Sequence, residues 1–245
     1  MADGTERLVR LIRNSTDTVF FGGAGVSTES GIPDFRSEKG LYAAQSVYGH
    51  VPEELLSHTF FLRDPETFFR YYKGSLLYPD AKPNACHRAL AALEQQGRLS
   101  AVITQNIDGL HQKAGSKTVW ELHGSNERHY CMHCGAKYTL ADVMAQEGVP
   151  LCRFCGGIIR PDVVLYEENL DRAVMSGAIR ALDSANLLIV AGTSLAVYPA
   201  AGLLRCFHGT HLVLINKSAT PMDSAADLVM HCAVGDVFAA VMELL

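Results

Sequence analysis

The sequence predicts an α/β protein built on a doubly wound parallel sheet, with a small four-cysteine ribbon and a helical lid inserted into it. Three observations carry that prediction. Short apolar runs at residues 18–21, 100–104, 186–191 and 211–215 have the length of buried strands. Amphipathic, helix-length stretches alternate with them, as parallel pairing requires. The runs end in small or polar residues: Gly22-Gly23, Gln105 to Asp108, Gly192-Thr193-Ser194 and Asn216. In open parallel sheets, ligands gather at strand C-termini.

A chain of 245 residues has room for one α/β domain or one and a half. Hydrophobic content of 48% with 19% charged residues is ordinary globular composition. Net charge is −5, and no Lys/Arg cluster is dense enough to form a phosphate-backbone footprint, which counts against direct nucleic-acid binding. No apolar run reaches the length of a membrane span. The N-terminus, MADGTERLVRLIRNS, lacks a signal-peptide hydrophobic region, so a cytoplasmic location is expected.

Taken in order, residues 5–13 place Leu8, Leu11 and Ile12 on one face of a short amphipathic lid helix. Residues 20–37, FFGGAGVSTESGIPDFRS, then read as a buried strand closed by two glycines and a small-residue turn. Gly-Ala-Gly lets backbone approach a ligand closely, as in a phosphate cradle, although Thr28 stands where a Rossmann fingerprint wants its third glycine. Residues 41–83 are rich in aromatics, with Leu55, Leu56 and Phe60 sharing one face and Phe68, Tyr71 and Tyr72 another; these predict short helices over the mouth of a site. Asn84 opens the next helix, which stops at Gly97. Gln105, Asn106, Ile107 and Asp108 follow the strand 100–104. The alternative to a site there is an Asx turn made by Asn106 and Asp108. His123 follows the strand 118–122 directly, where an imidazole can exchange a proton near neutral pH. His87, His111, His129 and His133 read as structural.

Cys131-x-x-Cys134 and Cys152-x-x-Cys155, with 17 residues between the inner cysteines, match a closed tetrahedral Zn²⁺ site. Four thiolates leave no open position, so the metal is expected to be structural. Residues 158–165 are expected to return to the main sheet, with helices at 169–183 and 198–207, a last strand at 228–232, and Asp236 capping the closing helix. The predicted division is a Rossmann-like domain of residues 1–40, 84–125 and 161–245, a lid of 41–83 and a zinc module of 126–160.

Five motifs together resemble the sirtuins, NAD-dependent protein lysine deacylases: GAGVSTESGIPDFR (23–36), TQNIDGLH (104–111), His123-Gly124, the cysteine quartet and GTSLAVYPA (192–200). The likeness runs in the same order from about residue 18 to the C-terminus. It implies that Ala24, Thr28, Asp34, Phe35 and Arg36 line the NAD site beside the pyrophosphate and nicotinamide ribose. It implies a nicotinamide pocket of Gln105, Asn106, Ile107 and Asp108, and His123 as general base. Thr193, Ser194 and Asn216 would hold the adenosine half, with Asp236 and Val234 closing over the adenine. The acyl-lysine peptide would add as a strand between Val163, Val164, Leu165, Tyr166 and Glu167 on one side and Ser194 to Val197 on the other. Leu165-Tyr166-Glu167 stands where Phe-Gly-Glu is frequent in the family, which puts bulk at the peptide entrance. Relatives that prefer succinyl-lysine carry Tyr and Arg three apart in the lid; Phe69 and Tyr72 occupy those places, so acetyl or longer aliphatic groups are expected. Two alternatives remain at this stage, protein mono-ADP-ribosylation and a non-catalytic NAD-binding regulator.

Overall fold

The computed structural model describes residues 2–33, 45–195 and 200–245; the expectations for Asp34, Phe35, Arg36 and Val197 lie outside them. The glycine-closed apolar run forms β1 (Thr18–Gly22), all five residues buried. It pairs in parallel with β2 (Ala101–Thr104) on one side and β7 (Leu187–Ala191) on the other. Beyond these lie β3 (Val119–Glu121), β8 (His211–Ile215) and β9 (Leu228–Met230), giving the order β3-β2-β1-β7-β8-β9, parallel throughout. The chain winds outward from β1 to β3 and restarts at β7, so the order reverses between β1 and β7.

Side chains alternate across a strand, and β1 supplies both cores. Phe20 faces α1 (Ala2–Asn14), α5 (Ala85–Gln95) and α9 (Val234–Leu244), packing with Leu8, Ile12, Leu90, Phe238 and Val241. Val19 and Phe21 face the opposite layer, where Ala178 and Leu182 of α8 (Arg172–Ser184) meet Leu203 and Leu204 of the 3₁₀ turn Ala200–Cys206. Helix α1 therefore covers the sheet and is no lid; α6 (Leu110–Ala114) and α7 (Leu140–Met144) are short. Asn84 caps α5 through a reciprocal capping box with His87. Asp236 does not cap α9: the helix starts at Val234, and the Gly235 N–H donates to Glu29 Oε2 at 2.6 Å.

The second sheet is antiparallel, in the order β5-β4-β6, from β4 (Gly124–Cys131), β5 (Lys137–Thr139) and β6 (Ile159–Val163). Residues 158–165 therefore do not rejoin the main sheet. Pro161 gives the reason, since a residue without an N–H suits an edge strand, and β6 is one. The aromatic stretch folds into α2 (Pro52–Leu55), α3 (His58–Arg63) and α4 (Pro65–Tyr71), then a π-helical turn, Tyr72–Leu76. Ser57 and Asp64 cap α3 and α4 by accepting the Phe60 and Thr67 N–H groups. Phe61, Phe68, Phe69 and Tyr72 form a buried edge-to-face and stacked cluster that also takes in Leu165. The lid thus has its own core and rests on the segment after β6.

Helix α8 comes close to β3 because Gly177 has no side chain; a Cβ there would lie 2.3 Å from the Trp120 ring. Gly177→Ala should gain about 1 kcal/mol of helix propensity and lose more to overpacking. Urea unfolding should show a net destabilisation of about 1–3 kcal/mol, and a stabilised variant would contradict this packing.

Candidate active site

At the reversal point, the turn after β1 and the turn after β7 meet backbone to backbone. Gly25 N–H donates to Gly192 O at 2.8 Å, and a Cβ on Gly25 would lie 2.7 Å from Gly192 Cα. Gly192 itself has φ +60. These glycines serve the approach of one loop to another, which brings the small and polar groups of both loops to one crevice.

The end of β2 fills that crevice. Ser27 Oγ donates to Asp108 Oδ2 at 2.6 Å and accepts from Asn106 Nδ2 at 3.0 Å, while Gln105 Nε2 donates to Thr193 Oγ1 at 3.1 Å. Asp108 Oδ1 also accepts the Leu110 N–H, so the Asx turn and the polar cluster coexist. His123, half-buried after β3, has Nδ1 2.8 Å from the Gln105 carbonyl oxygen. A carbonyl only accepts, so Nδ1 carries the proton and Nε2 of the neutral ring carries the lone pair.

A cavity of about 740 Å³ opens over this cluster. Ala24, Gln105, Asn106, Ile107, Asp108, His123, Thr193 and Ser194 line it, together with Val163, Val164, Leu165, Tyr166 and Glu167. Thr28, Asn216 and Asp236 are not on the wall: Thr28 Oγ1 donates to Gly25 O, Asn216 Nδ2 donates to Ser218 O, and Asp236 is exposed on α9. The sequence reading missed Ser27, which is buried and bridges Asn106 and Asp108. It also missed Asn126, whose N–H donates to Ile107 O while its side chain accepts from Tyr72 Oη and donates to Leu76 O. The signal was a short polar residue at an inward position of β4. No Lys or Arg is among the described residues lining the cavity.

The 163–168 loop is fastened on both sides. Val164 N–H donates to His123 O, while Tyr166 N–H donates to Leu56 O and its carbonyl accepts from His58 N–H. Burial would raise the Glu168 carboxyl, yet hydrogen bonds from the Arg160 guanidinium, the Leu165 N–H and His58 hold it down to about 2. Glu167 sits at φ +77, a left-handed conformation that favours glycine. The family's Phe-Gly-Glu therefore falls on Tyr166-Glu167-Glu168, one residue later than the sequence reading placed it. Tyr166 takes the aromatic place, and Glu167 stands in that of glycine.

The remaining histidines fit structural roles. Burial pushes His87 and His129 down to about 4 and His111 well below its usual value, and His133 is exposed.

The four sulfurs of Cys131, Cys134, Cys152 and Cys155 lie within 4.8 Å of one another, with Cys131–Cys155 at 3.5 Å and Cys134–Cys152 at 3.6 Å. Tetrahedral Zn²⁺ with bonds of about 2.3 Å holds its sulfurs about 3.8 Å apart. The donor set and spacing fit one structural zinc, and Gly135 and Gly156, both at φ +71, turn the two knuckles inward.

A family model described as the Sir2 family matches residues 23–199. The chain belongs to the Sir2 family. It is 56% identical over 244 residues to the NAD-dependent protein deacetylase of Clostridium perfringens, covering 99% of this chain and 100% of the relative. Among solved structures it resembles Sir2 with a p53 peptide and NAD⁺ (TM-score 0.86, 41% identity, 98% of both chains). It also resembles Sir2 with the inhibitor EX-527, 2′-O-acetyl-ADP-ribose and a deacetylated p53 peptide (TM-score 0.84, 42% identity, 98% of both chains). No helix among the described residues is long and apolar enough to cross a membrane.

Because all four zinc positions are taken by protein, the metal acts on folding. A thiol-reactive reagent should release one zinc per chain, and Cys131→Ala should lower Tm, by roughly 2–4 °C for each kcal/mol lost. An unchanged thermal transition in Cys131→Ala would contradict a structural metal.

Proposed function

We propose that the chain is an NAD-dependent protein lysine deacetylase, passing the acetyl group of acetyl-lysine to ADP-ribose and releasing nicotinamide, O-acetyl-ADP-ribose and free lysine. The observation that carries this reading is His123, oriented by the Gln105 carbonyl at the junction of the polar β2 cluster and the 163–168 loop. The deacetylase relatives and the Sir2 structures with NAD⁺ and acetyl-ADP-ribose support it.

NAD supplies, as co-substrate, an ADP-ribosyl group bearing nicotinamide as leaving group. Gln105, Asn106, Ile107 and Asp108, braced by Ser27, hold the nicotinamide away from water. Ala24, Thr28, Asp34, Phe35 and Arg36 serve the pyrophosphate and nicotinamide ribose. Thr193, Ser194 and Asn216, after the C-terminal ends of β7 and β8, and Asp236, in the first turn of α9, serve the adenosine half. His123 Nε2 takes a proton from a ribose hydroxyl, which then attacks the acyl carbon. Residues 163–167 and Val197 receive the acyl-lysine peptide as an added strand. Thiolate zinc ligands persist in a reducing compartment, which supports a cytoplasmic location.

Incubation with NAD and an acetylated peptide tests the reading. Nicotinamide release that depends on acetyl-lysine is expected, whereas labelled protein without deacetylation would favour ADP-ribosyl transfer. His123→Ala should fold and bind NAD with deacetylation lowered by about 10²–10⁴-fold; full activity would remove the base assignment.

Acyl choice follows from the lid. Phe69 is fully buried, and the Tyr72 hydroxyl is spent on Asn126. Of the two neighbouring cations, Lys73 donates to the Gln146 and Gly148 carbonyls, and Arg70 is exposed, with its guanidinium over the Tyr48 ring. Acetyl-peptides should therefore be turned over more than about tenfold faster than succinyl-peptides, whose carboxylate would stay unpaired. Faster desuccinylation would overturn this.

A further inference from the structure

Two adjacent carboxylates on the 163–168 loop have opposite fates. Glu168 is half-buried and engaged by Arg160 at 2.8 and 3.0 Å, by the Leu165 N–H and by His58. Glu167 is exposed on the cavity wall. Its Oε2 accepts the Thr59 N–H at 2.9 Å and the Thr59 hydroxyl at 2.7 Å, contacts that fix the carboxylate and leave its charge. Among the described residues, no Lys or Arg forms an ion pair with it.

The other acidic groups on the wall are occupied. Glu127 pairs with Lys113 at 2.7 Å, Glu168 with Arg160, and Asp108 accepts from Ser27 and Leu110. Glu167 is thus the exposed wall carboxylate without a Lys or Arg partner among the described residues; His58 is the nearby group that can carry positive charge. The backbone gives no reason for a side chain there. At φ +77 an L residue is disfavoured relative to glycine, and glycine is what the related Phe-Gly-Glu pattern carries. A side chain kept at an unfavourable φ beside a binding cleft points to function.

Resting on the deacetylase reading, we propose that Glu167 makes this enzyme select acyl-lysine peptides with Lys or Arg within two residues of the modified lysine. A peptide added as a strand along residues 163–167 uses backbone hydrogen bonds that are blind to sequence. Its side chains alternate at about 3.3 Å per residue, so a flanking residue passes the carboxylate. The contact is exposed, which makes it a modest, salt-sensitive preference.

The test compares kcat/KM for acetyl-lysine peptides with Arg, Ala or Glu at the flanking positions. The wild type should favour Arg over Ala by roughly two- to five-fold and disfavour Glu, and the spread should shrink in about 0.5 M salt. In Glu167→Gln, which keeps an acceptor for Thr59, the Arg-to-Ala ratio should fall to near one. Glu167→Gly should do the same while relieving the backbone, and so serves if the Gln variant folds poorly. Glu167→Lys should turn the preference toward Glu. Equal kcat/KM across the set in the wild type, or an Arg preference that survives in the Gln and Gly variants, would overturn the proposal. Absence of deacetylation on every peptide would instead overturn the deacetylase reading on which it rests.

Discussion

Everything at the site depends on two loops touching through their backbones. Gly25 and Gly192 approach so closely that neither tolerates a Cβ, and the hydrogen bond between them closes the turn after β1 onto the turn after β7. A methyl group at either position would push the loops apart. Thr193 would then leave Gln105, and Ser27 would leave Asp108 and Asn106. The polar cluster is therefore a consequence of close packing at the reversal point of the sheet, where parallel strands leave an opening at their C-terminal ends.

Strand β4 carries that order to the rest of the molecule. It begins beside His123, passes Asn126 and ends at the first zinc ligand, Cys131. The zinc does no chemistry at His123, yet it fixes one end of the strand whose other end sets the imidazole. Asn126 extends the link, because one amide side chain and its own N–H tie the lid at Tyr72 and Leu76 to the β2 loop at Ile107. Lid, ribbon and polar loop are thus held by a single buried residue whose hydrogen bonds would be costly to leave unmade.

The main sheet was legible because buried parallel strands are continuous apolar runs, and the knuckles because CxxC spacing is set by tetrahedral geometry. His123 and Gln105 to Asp108 were legible as polar residues at strand ends. What escaped was whatever depended on partners distant in sequence. Ser27 looks like one small residue among several until Asp108, 81 positions away, accepts its hydrogen bond. Asp236 looked like a cap, and the cap is Glu29 from the far end of the chain. Pro161 did contain the warning that β6 could not be a central strand. The one-residue slip over Phe-Gly-Glu arose because an L residue at a glycine position leaves no trace in composition; only φ reveals it.

The 163–168 loop shows how the same residue type is put to two uses. Burying Arg160 and Glu168 costs desolvation comparable to their attraction, and a well-packed apolar pair would often be as stable. What the pair adds is shape. Arg160 also reaches the Val163 and Pro161 carbonyls, and Glu168 takes the Leu165 N–H, so the backbone of the loop is set before any peptide arrives. A strand prepared in this way spares an incoming peptide the entropy of ordering it. Since backbone pairing reads no sequence, discrimination must come from side chains at the rim, and a carboxylate fixed by Thr59 but left charged is suited to supply it. Glu168 builds the edge, and Glu167 gives it a sign.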